Sequence, residues 1–140
     1  MVFFQNLINA LQWGSFYALI ALGYSMVYSI LMLFNFAHGD IFMVGAYIGF
    51  GVATTIVALT AMGSFALPGW LILVFTILIS MLLTSFVGMF VERVGYRPLR
   101  DAPRASAAIT GLMIGIILET GNLILLGAQR YSFPSLIETA

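Results

Sequence analysis

The stretch that decides the fold is residues 70–104, which read WLILVFTILISMLLTSFVGMFVERVGYRPLRDAPR. Its first part, up to Val91, contains no Asp, Glu, Lys or Arg, and at about 1.5 Å of rise per residue a helix of this length crosses a bilayer. Its second part holds four of the five cationic residues of the chain, Arg93, Arg97, Arg100 and Arg104. A chargeless apolar run followed by a short basic loop is typical of a polytopic membrane protein with that loop in the cytoplasm.

The composition of the whole chain agrees with a membrane protein. Charged residues make up 7% of the 140 residues and apolar residues 62%, compared with roughly 25% and roughly 45–50% in soluble domains. A soluble domain of this size could not cover its surface with so few charged side chains. The formal net charge is zero, which gives no indication of nucleic-acid binding. The chain has no cysteine, so disulfides and thiolate metal sites are excluded.

We therefore expect an all-α, polytopic transmembrane helical bundle that forms a single domain. Its four membrane helices are predicted at about residues 4–33, 41–62, 70–91 and 106–127. Gly63, Ser64, Pro68 and Gly69 provide the turn between the second and third helices. Ser106 is a suitable N-cap for the fourth helix.

The basic loop predicts the orientation of the other segments, because the helices must alternate in direction. With residues 92–105 in the cytoplasm, Met1 and the 63–69 turn lie outside. Trp70 and Tyr131 then lie near the outer interface, where amphipathic rings are favoured. The first residues carry no cationic side chain, which agrees with translocation of the N-terminus.

A polar segment, Asn35-Phe36-Ala37-His38-Gly39-Asp40, connects the first two predicted helices. In one interpretation it is an ordinary cytoplasmic turn, in which Asp40 caps the second helix. In the other, it is a break within the membrane that lines a polar pathway, since irregular backbone at that depth is tolerated only there. His38 has no neighbour of a metal-ligating type other than Asp40, so we expect no metal site.

Glu119 and Asn122 lie inside the predicted fourth helix, three positions apart and therefore on one face. A carboxyl group at that depth is costly and normally faces the protein interior or water. Two interpretations follow for Glu119. It is either neutral and hydrogen-bonded, to Asn122 or to another helix, or it borders a substrate route.

Small residues spaced four apart predict close packing of two helices. They are Gly45 and Gly49 in the second helix and Gly111 and Gly115 in the fourth. We also expect Gly39 and Gly45 to require a small residue, because a side chain there would obstruct the helix break or a close backbone approach.

The basic loop has two interpretations of its own. In the first, the loop does no more than fix the topology, and its ion pairs are solvated and worth about 0–1 kcal/mol each. Its cationic residues are Arg93, Arg97, Arg100 and Arg104. Alternatively, Pro98 and Pro103 stiffen the loop for contact with another subunit. The sequence has no nucleophile constellation, Walker loop or zinc-ligand spacing, so we do not expect an enzyme.

Two long stretches of the sequence resemble a known family. They are YALIALGYSMVYSILMLFNFAHGDIFMVGAY (Tyr17–Tyr47) and ERVGYRPLRDAPRASAAITGLMIGIILE (Glu92–Glu119). They resemble the N-terminal part, and then the cytoplasmic loop and following helix, of branched-chain amino acid ABC transporter permeases of the LivH type. Residues 52–91 match only in hydrophobic character, and Glu119 departs from the family, where Gln is usual. The resemblance ends at about the midpoint of family permeases, so we expect the N-terminal half of a longer permease.

The resemblance implies an importer in a bacterial-type inner membrane. Such an importer has two homologous permease subunits, two cytosolic ATPase subunits and an extracytoplasmic binding protein that delivers Leu, Ile or Val. ATP would bind to the ATPase subunits, so we expect no cofactor in this chain, and its other partner is the lipid bilayer. Asn35, Ala37, His38, Gly39 and Asp40 match the family's helix-break motif, which assigns them to the substrate pathway, with Glu119 and Asn122 as further candidates.

Two alternatives remain for the function. The first is a permease for urea, short amides or another small polar solute. The second is a non-transporting membrane protein that acts only through helix packing. In the main interpretation, the 140-residue chain alone would insert into the membrane but would not support ATP-driven uptake.

The predicted orientation can be tested by labelling single cysteines, since the chain has none of its own. A cysteine replacing Ser64 should react with an impermeant thiol reagent added from outside. One replacing Arg100 should react only after the membrane is permeabilised. Labelling of position 100 from outside would contradict the orientation.

Overall fold

The computed structural model describes residues 1–63 and 67–134. The long helices are α1 (Val2–Leu31), α2 (His38–Ala61), α3 (Gly69–Val91) and α4 (Arg104–Leu126). Within the described residues, these helices contain four segments long and apolar enough to cross a membrane. The predicted all-α class is confirmed. Ser64, which we assigned to the turn between α2 and α3, lies outside the described residues.

The starts of α3 and α4 both follow a proline. Pro68 and Pro103 occupy the N-cap positions with extended backbone, at ψ 147° and ψ 148°. Proline suits a helix start, because the first N–H groups of a helix have no partner within it. The prediction of Ser106 as N-cap is therefore wrong. Ser106 lies in the first turn of α4, where its N–H donates to the Pro103 carbonyl oxygen at 3.0 Å.

Most of the predicted 92–105 loop is helical. After α3 ends, a π-helical turn (Glu92–Tyr96) and a 3-10 turn (Arg97–Leu99) continue the chain, and α4 already begins at Arg104. An exposed ion pair of 3.3 Å joins Arg100 to Glu92 across this region. The basic residues thus belong to a short helical hairpin, which we call the basic hairpin (residues 92–104).

Helices α2 and α3 pack against each other through small residues. A Cβ atom at Gly45 would lie 3.2 Å from the Thr84 side chain, and one at Gly49 would lie 3.5 Å from the Ser80 hydroxyl oxygen. These pairs run in opposite directions along the two helices, so α2 and α3 are antiparallel. Both glycines thus lie where α2 and α3 approach each other, as small residues commonly do between membrane helices.

The helices differ in their extent along the bundle axis. The antiparallel register places the start of α2 level with Val91, where the chargeless run ends. Helix α4 runs parallel to α2, but Gly111 is the residue level with Phe36, so the first two turns of α4 extend past the start of α2. As a result α4 ends level with the middle of α2, which continues for about 16 Å beyond Phe50 at about 1.5 Å per residue.

Helix α1 stands apart from the other three. None of its residues is buried by the described part of the chain. It approaches α2 where a Cβ atom at Gly23 would lie 3.0 Å from His38 Nε2. Its large apolar side chains are exposed to whatever surrounds the chain, which for a membrane helix is lipid or another helix.

The α2–α3 contact generates a stability prediction. Gly45→Leu should lower the free energy of unfolding in detergent by about 1–3 kcal/mol, because the added side chain must displace Thr84. Gly51→Leu is the matched control on the same helix, since a Cβ atom there meets no described atom within 4 Å. Equal stability of the two variants in a denaturant titration would contradict this packing.

Candidate functional site

Asn35 organises the connection between α1 and α2. Its side-chain oxygen Oδ1 accepts hydrogen bonds from the Ala37 N–H (3.1 Å) and from the Tyr96 hydroxyl (2.8 Å). Its backbone oxygen accepts from the His38 N–H at 3.1 Å. Asparagine forms such local turns readily because its side chain bonds to the backbone two residues on. The turn that starts α2 is thereby tied to the basic hairpin through Tyr96.

Gly111 and Gly115 of α4 contact the segment that connects α1 and α2. A Cβ atom at Gly111 would lie 2.5 Å from the Tyr96 hydroxyl oxygen and 3.3 Å from the Phe36 backbone nitrogen. A Cβ atom at Gly115 would overlap Asp40 Oδ2. Ala37 lies between α2 and α4 with no exposed surface. Gly111 and Gly115 therefore lie against the 35–40 segment and Tyr96.

Asp40 does not cap α2, so that part of the turn interpretation is wrong. Ala37 occupies the N-cap position and no side chain caps the helix. Asp40 lies in the first turn, where a carboxylate is favoured by the positive end of the helix. It is half-buried against α4. The 35–40 segment is thus covered by α4 and by Tyr96, level with the end of the chargeless run of α3.

His38 and Gly39 face away from α4. The His38 ring packs edge-to-face with Tyr24 of α1, at a centroid separation of 6.0 Å. A Cβ atom at Gly39 meets no described atom within 4 Å. The expectation that Gly39 must stay small is therefore not supported by a contact, unlike that for Gly45. Among the residues that the structure describes, no group of three or more His, Asp or Glu is placed to hold a metal ion.

Glu119 and Asn122 continue the α4 face that carries the two glycines, and they line a groove of about 700 Å³. Residues of α2 and of the segment that follows α4 also line this groove. The side chains that matter below are Met43, Tyr47, Phe50, Arg130 and Tyr131. We refer to the row formed by Asn35, Asp40, Glu119 and Asn122 as the polar seam between α2 and α4.

A hydrogen bond between Glu119 and Asn122, which was one of the alternatives for Glu119, is not among the contacts of the described residues. Glu119 is exposed in the groove. The Asn122 side-chain nitrogen is enclosed, and it has no hydrogen-bond partner among the described residues. An enclosed donor without a partner costs about 1–3 kcal/mol. The hydrogen-bonded interpretation of this pair is therefore not supported within the described chain.

Tyr131 packs against α2. Its ring packs against Phe50 at the middle of α2 (5.2 Å between centroids) and against Tyr47 in the first half of α2 (6.3 Å). Its hydroxyl donates to the Leu126 carbonyl oxygen at 2.7 Å. Helix α4 ends level with the middle of α2, and the residues that follow turn back onto α2. The position of Tyr131 near the outer interface stays a prediction.

Three site residues were missed by the sequence analysis: Tyr96, Arg130 and Tyr131. Tyr96 lies 61 positions from its partner Asn35, so no local pattern links the two. The arginines that we assigned to the 92–105 loop lie in the basic hairpin. Arg93, Arg97, Arg100 and Arg104 are all exposed in the basic hairpin, away from the polar seam.

The sequence matches known proteins. Residues 6–137 match the family described as the branched-chain amino acid transport system / permease component. The chain belongs to this family. It is 38% identical over 135 residues to the high-affinity branched-chain amino acid transport system permease protein BraD of Pseudomonas aeruginosa, covering 96% of the chain and 42% of that protein.

Two further relatives agree. The corresponding permease protein LivH of Escherichia coli is 38% identical over 136 residues, which is 97% of the chain and 42% of the relative. LivH of Salmonella typhimurium is 37% identical over the same length and the same shares. The chain thus spans about two fifths of the length of these relatives. No solved structure matches the chain.

The Tyr96–Asn35 contact generates a prediction. Tyr96→Phe should remove one hydrogen bond and lower the free energy of unfolding by about 0.5–1.5 kcal/mol. Amide exchange should become faster at residues 37–41, because the Asn35 side chain loses a restraint, while the α2–α3 contact is unchanged. Tyr17→Phe on α1 is the matched control, since its hydroxyl makes no hydrogen bond to a described residue. Unchanged exchange in Tyr96→Phe would mean that this bond does not hold the turn.

Proposed function

We propose that this chain forms part of a permease subunit that moves branched-chain amino acids across a bacterial inner membrane, within an ABC importer. The observation that carries the proposal is the family match over residues 6–137. The relatives of 37–38% identity are named as permease proteins of high-affinity branched-chain amino acid transport systems.

The polar seam supports a transport role. Transport sites in membrane proteins collect polar groups and irregular backbone where they line a cavity, because both are costly against lipid. Here Asn35 and Asp40 at the start of α2 and Glu119 and Asn122 on α4 lie along one helix interface that opens into a groove. We assign these four residues, with Ala37 between the helices, to the substrate pathway. His38 and Gly39 contribute on the α1 side.

The basic hairpin supports an association with cytosolic subunits. Its arginines are exposed, and two prolines and helical turns make it stiff. In the proposed assembly, two ATPase subunits bind on this side and carry the ATP, so this chain itself performs no hydrolysis. A second homologous permease and an extracytoplasmic binding protein complete the importer. The 92–105 region is cytoplasmic and Met1 lies outside.

Deletion of the gene that encodes this chain tests the proposal. Uptake of labelled leucine, isoleucine and valine at low concentration should fall to the level of uptake through other carriers, and the intact gene should restore it. Uptake of labelled urea and acetamide serves as the internal comparison and should not change. A loss confined to urea or amide uptake would favour the alternative cargo, and unchanged uptake of all these solutes would contradict a transport role.

A further inference from the structure

The groove beside Glu119 has a composition that the family match does not explain. One wall carries a carboxylate, Glu119, and the end segment carries a guanidinium, Arg130. Between them the wall from α2 is apolar and aromatic, with Met43, Tyr47 and Phe50. Among the described residues the two charges do not form an ion pair with each other, so each remains available to a ligand.

The position of the groove also indicates a binding site. Helix α4 ends at Leu126, level with the middle of α2, and residues 127–134 follow as non-helical backbone. Residues of this non-helical segment line the groove. Many transporters form their substrate sites where helix ends and non-helical backbone line a cavity.

The end segment is held in place by specific contacts. The Gly127 N–H donates to the Leu123 carbonyl oxygen at 2.9 Å, and the Tyr131 hydroxyl supplies a donor to the Leu126 carbonyl oxygen, which has no partner within the helix. The Tyr131 ring then rests on Phe50. Arg130, next to Tyr131, is thereby kept at the groove that Glu119 also lines.

We propose that this groove binds a zwitterionic amino acid with an apolar side chain, and the assignment rests on the function proposed above. Glu119 receives the ammonium group and Arg130 receives the carboxylate, since charge-assisted hydrogen bonds of this kind are the strongest that side chains offer. The apolar side chain of the ligand lies against Met43, Tyr47 and Phe50. Asn122 lines the same groove.

The test measures protection of a cysteine in the groove by leucine. Ala46 lines the groove and is exposed, so Ala46→Cys reports on its occupancy. The variant is made in the protein as its gene encodes it, assembled with its partners in membrane vesicles. Leucine at about ten times its half-protecting concentration should slow alkylation of this cysteine by about tenfold. Arg100→Cys, in the basic hairpin, is the control whose alkylation leucine should not change.

Two variants assign the two ends of the ligand. Glu119→Leu should raise the half-protecting concentration of leucine by about tenfold or more, but leave that of 4-methylpentanoate, which lacks the ammonium group, unchanged. Arg130→Leu should also raise the half-protecting concentration of leucine by about tenfold or more. It should leave the half-protecting concentration of 3-methylbutylamine, which lacks the carboxylate, unchanged. These analogues also show whether a variant still folds, because a misfolded groove would lose protection by all three compounds.

Leucine uptake by the same vesicles separates this inference from the proposed function. If leucine is transported but does not protect Ala46→Cys, the groove is not the binding site, and the transport proposal stands. Equal effects of Glu119→Leu on leucine and 4-methylpentanoate would also overturn the assignment of Glu119. Absence of leucine uptake in vesicles with the unsubstituted groove would contradict the transport proposal itself.

Discussion

The close approach of α4 to the start of α2 is the constraint on which the rest of the structure depends. Glycines at positions 111 and 115 let the backbone of Phe36 and the carboxylate of Asp40 come within contact of α4. In lipid, helices gain little from burying apolar side chains against each other, so close packing and hydrogen bonds hold them together. Because this contact sets the register of α4, it also fixes how far α4 reaches and where Glu119 and Asn122 lie.

The helices and their packing glycines were predictable because each depends on a local pattern. Chargeless runs of about 20 residues specify membrane helices, and the glycines at 45, 49, 111 and 115 each form the contact expected of them. The helix ends were less predictable. Ser106 carries a favourable capping side chain, yet Pro103 starts the helix, and Asp40 lies in the first turn instead of at the cap.

Only some residues of the site could be predicted from the sequence. Asn35, Asp40, Glu119 and Asn122 were recognisable because polar groups are rare in this chain, but the residues that position them were not. Tyr96 acts on Asn35 across 61 positions, and Tyr131 reaches α2 only because α4 ends early. The axial register between two helices depends on which small residues of one contact the other. The periodicity of either helix alone does not specify that register.

The Tyr96–Asn35 hydrogen bond joins the exposed basic hairpin to the polar seam between α2 and α4. Among the described residues, it is the only hydrogen bond between two side chains that are far apart in the sequence. The other bond between two side chains, Arg100–Glu92, lies within the basic hairpin. Gly95 also packs against Ile114 of α4 next to it, so the hairpin rests on both α4 and the start of α2. A side chain at position 95 would separate the hairpin from α4.

If a bound subunit displaced the exposed arginines, the movement would therefore reach the polar seam through contacts that are already packed. For such a displacement to change the seam, the hairpin must have two arrangements that the subunit stabilises to different extents.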